Sequence, residues 1–283
     1  MEQVTIKTPA KINLYLNVSS QRDDGYHNLE SFMVPIDLLD ELTLTRTGTT
    51  IRTTCPTHPE LSGVSNLAHK AARAWMDESG TEMGVQIQIR KKIPLQAGLG
   101  GGSSDAGATL RAMQLLGEKP LSEKRLHRIA AALGADVPFF LDPLPRMVKG
   151  IGEILGPRQF PEPFWLILAV APFGILTRQV FENLIISLTN MHISANDEPP
   201  RKWGFDELVW LMKNDLQPTA EKMHPEIAKV RKAMKDAGAS NSCMSGSGPS
   251  VFSLFKGEES ARRVLKKIDG NLGWTYLLLR AIT

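Results

Sequence analysis

PLQAGLGGGSSDAGA, residues 94–108, sets four glycines and two serines between Gly98 and Ser104, and the pattern then turns helical. Glycine costs backbone entropy, so an ordered stretch keeps it where bare backbone is needed. Upstream, Val85, Ile87 and Ile89 of VQIQI alternate as in a half-buried strand. Downstream, Ala106, Leu110 and Met113 recur at helical spacing, with Gly117 as a stop. The glycines therefore join a strand to a helix N-terminus, whose first turn carries free N–H groups and a partial positive charge. They let a phosphate approach those groups, and Ser103 and Ser104 add hydroxyl donors. A tight turn without a ligand is the plainer alternative, but three adjacent glycines exceed what such a turn requires. At Gly101 the expectation is a backbone with φ > 0, which a β-branched residue disfavours.

Neither common nucleotide loop fits. A Walker loop ends in Gly-Lys-Ser/Thr, and no lysine follows Gly102. A dinucleotide fingerprint starting at Gly98 needs a glycine where Ser103 stands, and Glu123 follows a helix and a turn rather than a second strand.

With 283 residues the chain holds one large or two ordinary domains, and 42% hydrophobic against 22% charged residues is a globular balance. A net charge of +3 from 33 basic and 30 acidic residues is too even to argue for nucleic acid or an anionic membrane. The Lys91–Lys92 doublet reads as a solvated strand end, or as a source of positive potential for a nucleotide. MEQVTIK lacks an apolar signal region, and the longest apolar run, WLILAVA from Trp165, falls far short of the ~20 residues that span a bilayer. Cys55 and Cys243 make no disulfide framework, and Cys55 with His58 lacks a second ligand pair. The expectation is a reduced, cytoplasmic protein.

Ile12, Leu14, Leu16 and Val18 alternate as a strand with one buried face, Asp24–Gly25 marks a turn, and ELTLT suggests another strand. SNLAHKAARAW and the stretch from Ser122 to Gly134 read as helices. GPRQFPEP, from Gly156 to Pro163, reads as a linker. Beyond it come a buried strand, a helix near Arg178 to Ile186, a polar stretch from Asn190 to Arg201, and helices around Asp206–Met212 and Glu226–Ala237. MSGSGPS (Met244–Ser250), the strand VFSLF, a helix over Glu258–Lys267 and the strand WTYLLL follow. Strand runs and clustered helices without regular βαβ alternation indicate an α+β protein of two lobes, residues 1–156 and 157–283.

PAKIN (Pro9–Asn13), PLQAGLGGGSSDA (Pro94–Ala106) and MSGSGPSVF (Met244–Phe252), in this order and at these separations, resemble the GHMP kinase superfamily. DGYHNL, SNLAHKAA, LGADVPFFL, GIGEIL and NDL, the last at Asn214–Leu216, narrow the resemblance. They are similar to the branch that phosphorylates a cytidine-diphosphate-linked methylerythritol on the non-mevalonate route to isoprenoids. The likeness covers nearly the whole chain. It implies a two-lobed α+β fold with the active site in the cleft between the lobes, ATP and Mg²⁺ as cofactors, and a small-molecule substrate. It implies a monomer or weak homodimer, without nucleic acid or membrane as partner.

The resemblance also implies the roles. Lys11 and Asp136 match the catalytic pair, Asp136 also touching substrate. Asn66 and Leu67 help hold the adenine, and Pro94, Gly98, Leu99, Gly100, Gly101, Gly102, Ser103 and Ser104 wrap the phosphates. Asn13, Tyr26, His27, Thr177, Phe181, Gly246 and Gly248 match the substrate site, the aromatic ones for cytosine. Read from spacing alone, Asp136 is a turn former, and Lys11 and Asn13 share one strand face that could equally be solvated. No sequence pattern identifies the metal ligands; Ser103 or Ser104 are candidates. A non-catalytic sensor on the same fold remains an alternative, against which Lys11 and Asp136 stand together. So does a kinase with another alcohol acceptor, against which Tyr26, His27 and Phe181 argue. DPLPRMVKG, with Pro143 and Pro145, departs from the family pattern after FFL and is expected to take another path.

Overall fold

The computed structural model describes residues 2–184, 201–268 and 272–283. The chain divides into two compact units, neither of them continuous in sequence.

The first unit is Met1–Ala10, Leu38–Ile93 and Gly100–Pro143. It takes the opening of β1 (Gln3–Gln21), the second half of β2 (His27–Thr47), β3 (Ile51–Thr54), α1 (Leu67–Ser79), β4 (Gly84–Arg90), α2 (Gly101–Leu116) and α3 (Glu123–Leu133). β2 pairs antiparallel with β4 from Glu41↔Arg90 to Thr47↔Gly84, and β3 lies parallel to β4. That register sets Leu42 and Leu44 opposite Ile89 and Ile87, while Gln86, Gln88 and Arg90 point outward, as the alternation requires. The apolar face packs with Trp75 of α1 and with Leu110 and Met113 of α2 in one core. Trp75 is fully buried, its indole N–H satisfied by Gln114 at 2.7 Å.

The second unit is Lys11–Asp37, Pro94–Leu99 and Leu144–Thr283. Residues 11–37 and 144–156, which precede the lobe division expected at residue 156, belong to it. Its elements are the rest of β1 and β2, β5 (Arg146–Gly150), β6 (Ile154–Arg158), β7 (Phe160–Pro161), β8 (Trp165–Val170), α4 (Thr177–Glu182) and β9 (Lys202–Trp203). There follow α5 (Phe205–Leu211), β10 (Lys213–Asn214), α6 (Gln217–Met223), α7 (Glu226–Asp236), β11 (Cys243–Met244), β12 (Val251–Phe255), α8 (Glu258–Leu265) and β13 (Thr275–Arg280). β11, β12, β8 and β13 form an antiparallel sheet in that order. Ile167 and Ala169 of β8 meet Val230 and Met234 of α7 and Val264 of α8 in its core. The start of β2 pairs with β5, and β5 with β6. β10 runs parallel to β1, Tyr15 opposite Lys213.

Three expectations change. β1 is buried on both faces over its middle, since Lys11 and Asn13 are as enclosed as Ile12 and Leu14. GPRQFPEP is not a linker: it contributes the end of β6 and all of β7. Gln159 within it is buried and accepts from the Trp203 indole at 3.1 Å. Pro157 is tolerated because β6 pairs only with β5 and so lies at an edge. The departing segment Asp142–Lys149 leaves a 3-10 turn at Pro138–Leu141 and becomes a strand from Arg146. The helix near Arg178 ends at Glu182; Ile186 and the polar stretch 190–200 lie outside the described residues. Both cysteines are free and buried, and no helix among the described residues is long and apolar enough to cross a membrane.

Candidate active site

The strand–glycine–helix order of the opening stretch holds. β4 ends at Arg90, and α2 begins at Gly101 with Gly100 as its N-cap. Left-handed backbone falls at Gly98 (φ +74°) and Gly100 (φ +71°), conformations L side chains rarely adopt. Gly101 is a correction: its φ is not positive. It is small because a Cβ there would lie 2.9 Å from Ile93 Cγ2 and 3.0 Å from Lys91 Nζ. Gly102 is the converse case, exposed, with nothing within 4 Å of an added Cβ. Among the described residues nothing fills the space in the Cβ direction of Gly102, in the first turn of α2. The two serines also separate. Ser104 is buried, its hydroxyl donating to the Pro9 carbonyl at 2.7 Å and 2.6 Å from that of Thr8. Ser103 stays half-exposed. Pro94 and Gly98 are half-exposed where the chain approaches the helix, and Leu99 is buried.

Asp136 lies in the turn after α3, half-buried, ahead of the buried Val137, Phe139 and Phe140. That turn is fixed against α2 through Gly107, where a Cβ would come 2.6 Å from Phe140 Cβ and 2.9 Å from its carbonyl carbon. Asn66 caps α1: its Oδ1 accepts from Ala68 N at 2.8 Å and its Nδ2 donates to Leu61 O at 2.8 Å. The sequence reading missed this cap. Leu67 packs half-buried on the core of the same unit.

In the second unit Lys11 and Asn13 stand on one face of β1, the lysine Nζ donating to Asn13 Oδ1 at 2.5 Å. The pair is buried, which removes the solvated-face alternative. Asn13 Nδ2 donates to Ser31 Oγ at 2.7 Å, and Ser31 Oγ in turn donates to Tyr15 O at 2.6 Å. The carboxamide is thus held with its oxygen toward the lysine. Lys11 N donates to Leu99 O at 3.0 Å, fastening this strand to the glycine loop.

The third motif closes on the same place. Ser245 Oγ donates to Gly98 O at 3.0 Å and accepts from Asn13 N at 3.3 Å. A Cβ on Gly98 would stand 2.1 Å from Ser245 O, so the two glycine loops touch backbone to backbone. Gly246 and Gly248 have φ of +55° and +78°. Asn214 Nδ2 holds Met244 O at 2.8 Å and Gly246 O at 2.7 Å. Ser31, Asn214 and Ser245 are supporting residues that the sequence reading did not assign. Asn214 and Ser245 lie inside motifs it quoted, whereas nothing in the sequence marks Ser31.

His27 and Phe181 stack with centroids 5.3 Å apart and planes 26° apart. Thr177, one turn before Phe181 on α4, places its hydroxyl 2.9 Å from that of Ser247, so α4 joins the aromatic pair to the Gly246–Gly248 loop. Tyr26 sits apart from the stack in character: it is 59% exposed at the hairpin, its N–H bonded to Asp24.

Lys91 corrects another expectation. Far from solvated, it is buried between Asp40 and Asp105, with Nζ–Oδ2 distances of 2.5 and 2.7 Å. Lys92 alone remains exposed. Among the described residues no group of three or more His, Cys, Asp or Glu is placed to hold a metal. With the Ser104 hydroxyl turned inward, Ser103 is the side chain at this helix start still open to an ion.

Comparison with known proteins gives the family. Residues 66–142 match the GHMP kinases N terminal domain and residues 204–272 the GHMP kinases C terminal domain. A homoserine kinase from Cytophaga hutchinsonii shares the fold with a TM-score of 0.71 over 100% of this chain and 95% of its own, at 17% identity. The chain is a member of the GHMP kinases. The 4-diphosphocytidyl-2-C-methyl-D-erythritol kinase of Geobacter metallireducens is 38% identical over 100% of both chains. A crystal structure of 4-(cytidine 5'-diphospho)-2C-methyl-D-erythritol kinase superposes with a TM-score of 0.81 at 31% identity, covering 99% of this chain and 100% of that one. Within the GHMP kinases, this chain belongs to the 4-diphosphocytidyl-2-C-methyl-D-erythritol kinase family.

Proposed function

We propose that the chain transfers the γ-phosphoryl group of ATP to the 2-hydroxyl of 4-diphosphocytidyl-2-C-methyl-D-erythritol, a step of non-mevalonate isoprenoid precursor synthesis. The observation that carries this reading is the buried Lys11–Asn13 pair, tied through Leu99 and Ser245 to both glycine loops. A lysine enclosed in that way, beside bare backbone, suits a negatively charged reacting group better than it suits stability.

The first turn of α2 receives the phosphates, its N–H groups and dipole opposing their charge. Asn66 and Leu67 flank the adenine. The substrate hydroxyl oxygen bonds to the γ-phosphorus as the bond from that phosphorus to the β–γ bridging oxygen breaks, and ADP leaves. The transition state is loose, so the hydroxyl proton departs late, and an aspartate suffices to orient the hydroxyl and accept it. Asp136 does this. Lys11 steadies the charge on the transferring group, with Asn13 holding its ammonium in place. His27, Phe181 and Tyr26 hold the cytosine by stacking and edge contacts, Thr177 and the Gly246–Gly248 loop bounding that end. Magnesium bound with ATP would offset the phosphate charge, and Ser103 is the side chain at this helix start that would meet it. In this reading residues 1–156 carry the ATP loop and 157–283 form the second lobe, acting in the cytoplasm as a monomer or weak homodimer.

A coupled assay of ADP release tests the proposal. Turnover is expected with the cytidine substrate and not with mevalonate, homoserine or galactose. Equal turnover of mevalonate would leave only the wider family. Binding of ATP and substrate without ADP release would favour a sensor.

A further inference from the structure

Gln96 is the one non-glycine residue with left-handed backbone among the described residues, at φ +50°. A side chain there strains the backbone, and such outliers persist where the surroundings over-determine them. Three neighbours hold this stretch within the second unit. Gln96 O accepts from Ile175 N at 3.1 Å, Ala97 O from Ser250 N at 3.4 Å, and Gly98 O from the Ser245 hydroxyl at 3.0 Å. The Gln96 side chain also lies along Gly174: a Cβ there would stand 2.6 Å from both Gln96 Cβ and Oε1. Gly174 and Ile175 lead into α4, which carries Thr177 and Phe181. Six residues are too few for a helix to hold by propensity, and Leu176 at its start has no polar side chain to cap it. The place of α4 is therefore set by its surroundings. Ile175 and Val180 anchor it in the core, Thr177 meets Ser247, and Gln96 fixes the approach.

We propose that Gln96 is a positioning residue for the cytidine end of the substrate: its backbone and side chain seat the turn at Gly174 and Ile175, and α4 then holds Phe181 against His27. The inference rests on the reading of that stacked pair as the cytosine site. Glycine already fills the neighbouring left-handed positions, Gly98 and Gly100. A residue kept only for the path of the loop would be served better by a third glycine. Glutamine bears the strain, and its contact with Gly174 accounts for that. Glycine at 96 would relieve the backbone but take away the side chain on which Gly174 packs. Asparagine would tolerate the backbone and stop one methylene short. Either change frees the start of α4 to shift, and the shift reaches the base through Phe181.

Steady-state kinetics of Gln96→Gly test this, with Phe181→Ala as the reference. KM for the cytidine substrate should rise about fivefold, the low end of what loss of base stacking costs, while KM for ATP stays at the wild-type value. kcat should change little, since the base lies away from the reacting hydroxyl. Thermal unfolding should stay near wild type, because relief of the backbone offsets the freedom glycine gives the unfolded chain. Gly174→Ala should raise the same KM in wild type and cost less in the Gln96→Gly background, where its Cβ has room. An unchanged cytidine KM in Gln96→Gly, beside a raised one in Phe181→Ala, would overturn the inference and leave the kinase reading standing. Equal rises for ATP and the cytidine substrate would assign Gln96 to the phosphate loop and overturn it too. No turnover of the cytidine substrate by wild type would remove both. Should Gln96→Gly unfold early, Gln96→Asn decides: it should raise the cytidine KM alone, and an unchanged value there would overturn the proposal.

Discussion

Two lysines carry the argument at the scale of single residues. Lys11 and Lys91 are both almost wholly enclosed, yet one faces a carboxamide and the other two carboxylates. The sequence distinguished them only by resemblance, since what buries Lys91 includes Asp40, 51 positions away. An adjacent lysine, Lys92, looks the same on paper and is exposed. Asp136 was legible as a turn residue, and its proposed role as base rests on the family resemblance. Asp136→Asn keeps its shape but removes the proton acceptor, so kcat should fall by at least ~10² while ATP and substrate still bind. A near-normal kcat would make Asp136 structural. Phe181→Ala should lose roughly 1–3 kcal/mol of base stacking, seen as a rise of about five- to 150-fold in KM for the cytidine substrate. ATP affinity should stay put. An unchanged KM would remove the base from this aromatic pair.

At the scale of elements, the periodic stretches were the readable ones. VQIQI, WLILAVA and the helix after the glycines all lie where alternation or helical spacing puts them. The misread element was GPRQFPEP, whose prolines mask two short strands because an edge strand can do without one side of its ladder. The glycine loop was readable as a loop, but not which glycine does what. Positive φ belongs to Gly98 and Gly100, close packing to Gly101 and Gly107. Gly98→Ala should therefore be more damaging than Gly102→Ala. It adds a strained backbone and a Cβ 2.1 Å from Ser245 O, and must push the two glycine loops apart. Thermal unfolding and ATP affinity of the two variants would check this. Equal behaviour would show that the loop contact can be given up without cost.

Across the whole molecule, the compact units are sewn from separate stretches, the chain crossing between them after residues 10, 37, 93, 99 and 143. No local pattern marks the first two crossings, because β1 and β2 run through them unbroken. The α+β class was visible in composition and element order; this partition was not. Stability of the folded chain should also carry the signature of its buried cluster. Burial pushes the Asp105 carboxyl up to about 7, from an ordinary value of 3.8. Below the lower value both states hold the proton, and the contribution of the group is intact. From there to about 7 the unfolded chain ionises first, so stability declines with rising pH and then levels off. Asp105→Asn cannot ionise, so wild type should lose stability relative to it across pH 4 to 7 in urea unfolding series. A constant difference would mean the carboxyl titrates normally.

The emptiness above Gly102 also makes the position a handle. Its Cβ direction meets nothing within 4 Å among the described residues, its φ is not left-handed, and it lies in the first turn of α2. The native thiols offer little competition, Cys55 and Cys243 both being buried and the second pushed up to about 12 by burial. A Gly102→Cys protein should accept a single maleimide dye without removal of either native cysteine. Saturating ATP should slow that labelling several-fold, turning nucleotide occupancy into an optical readout. If ATP leaves the labelling rate untouched, the nucleotide does not lie over this turn.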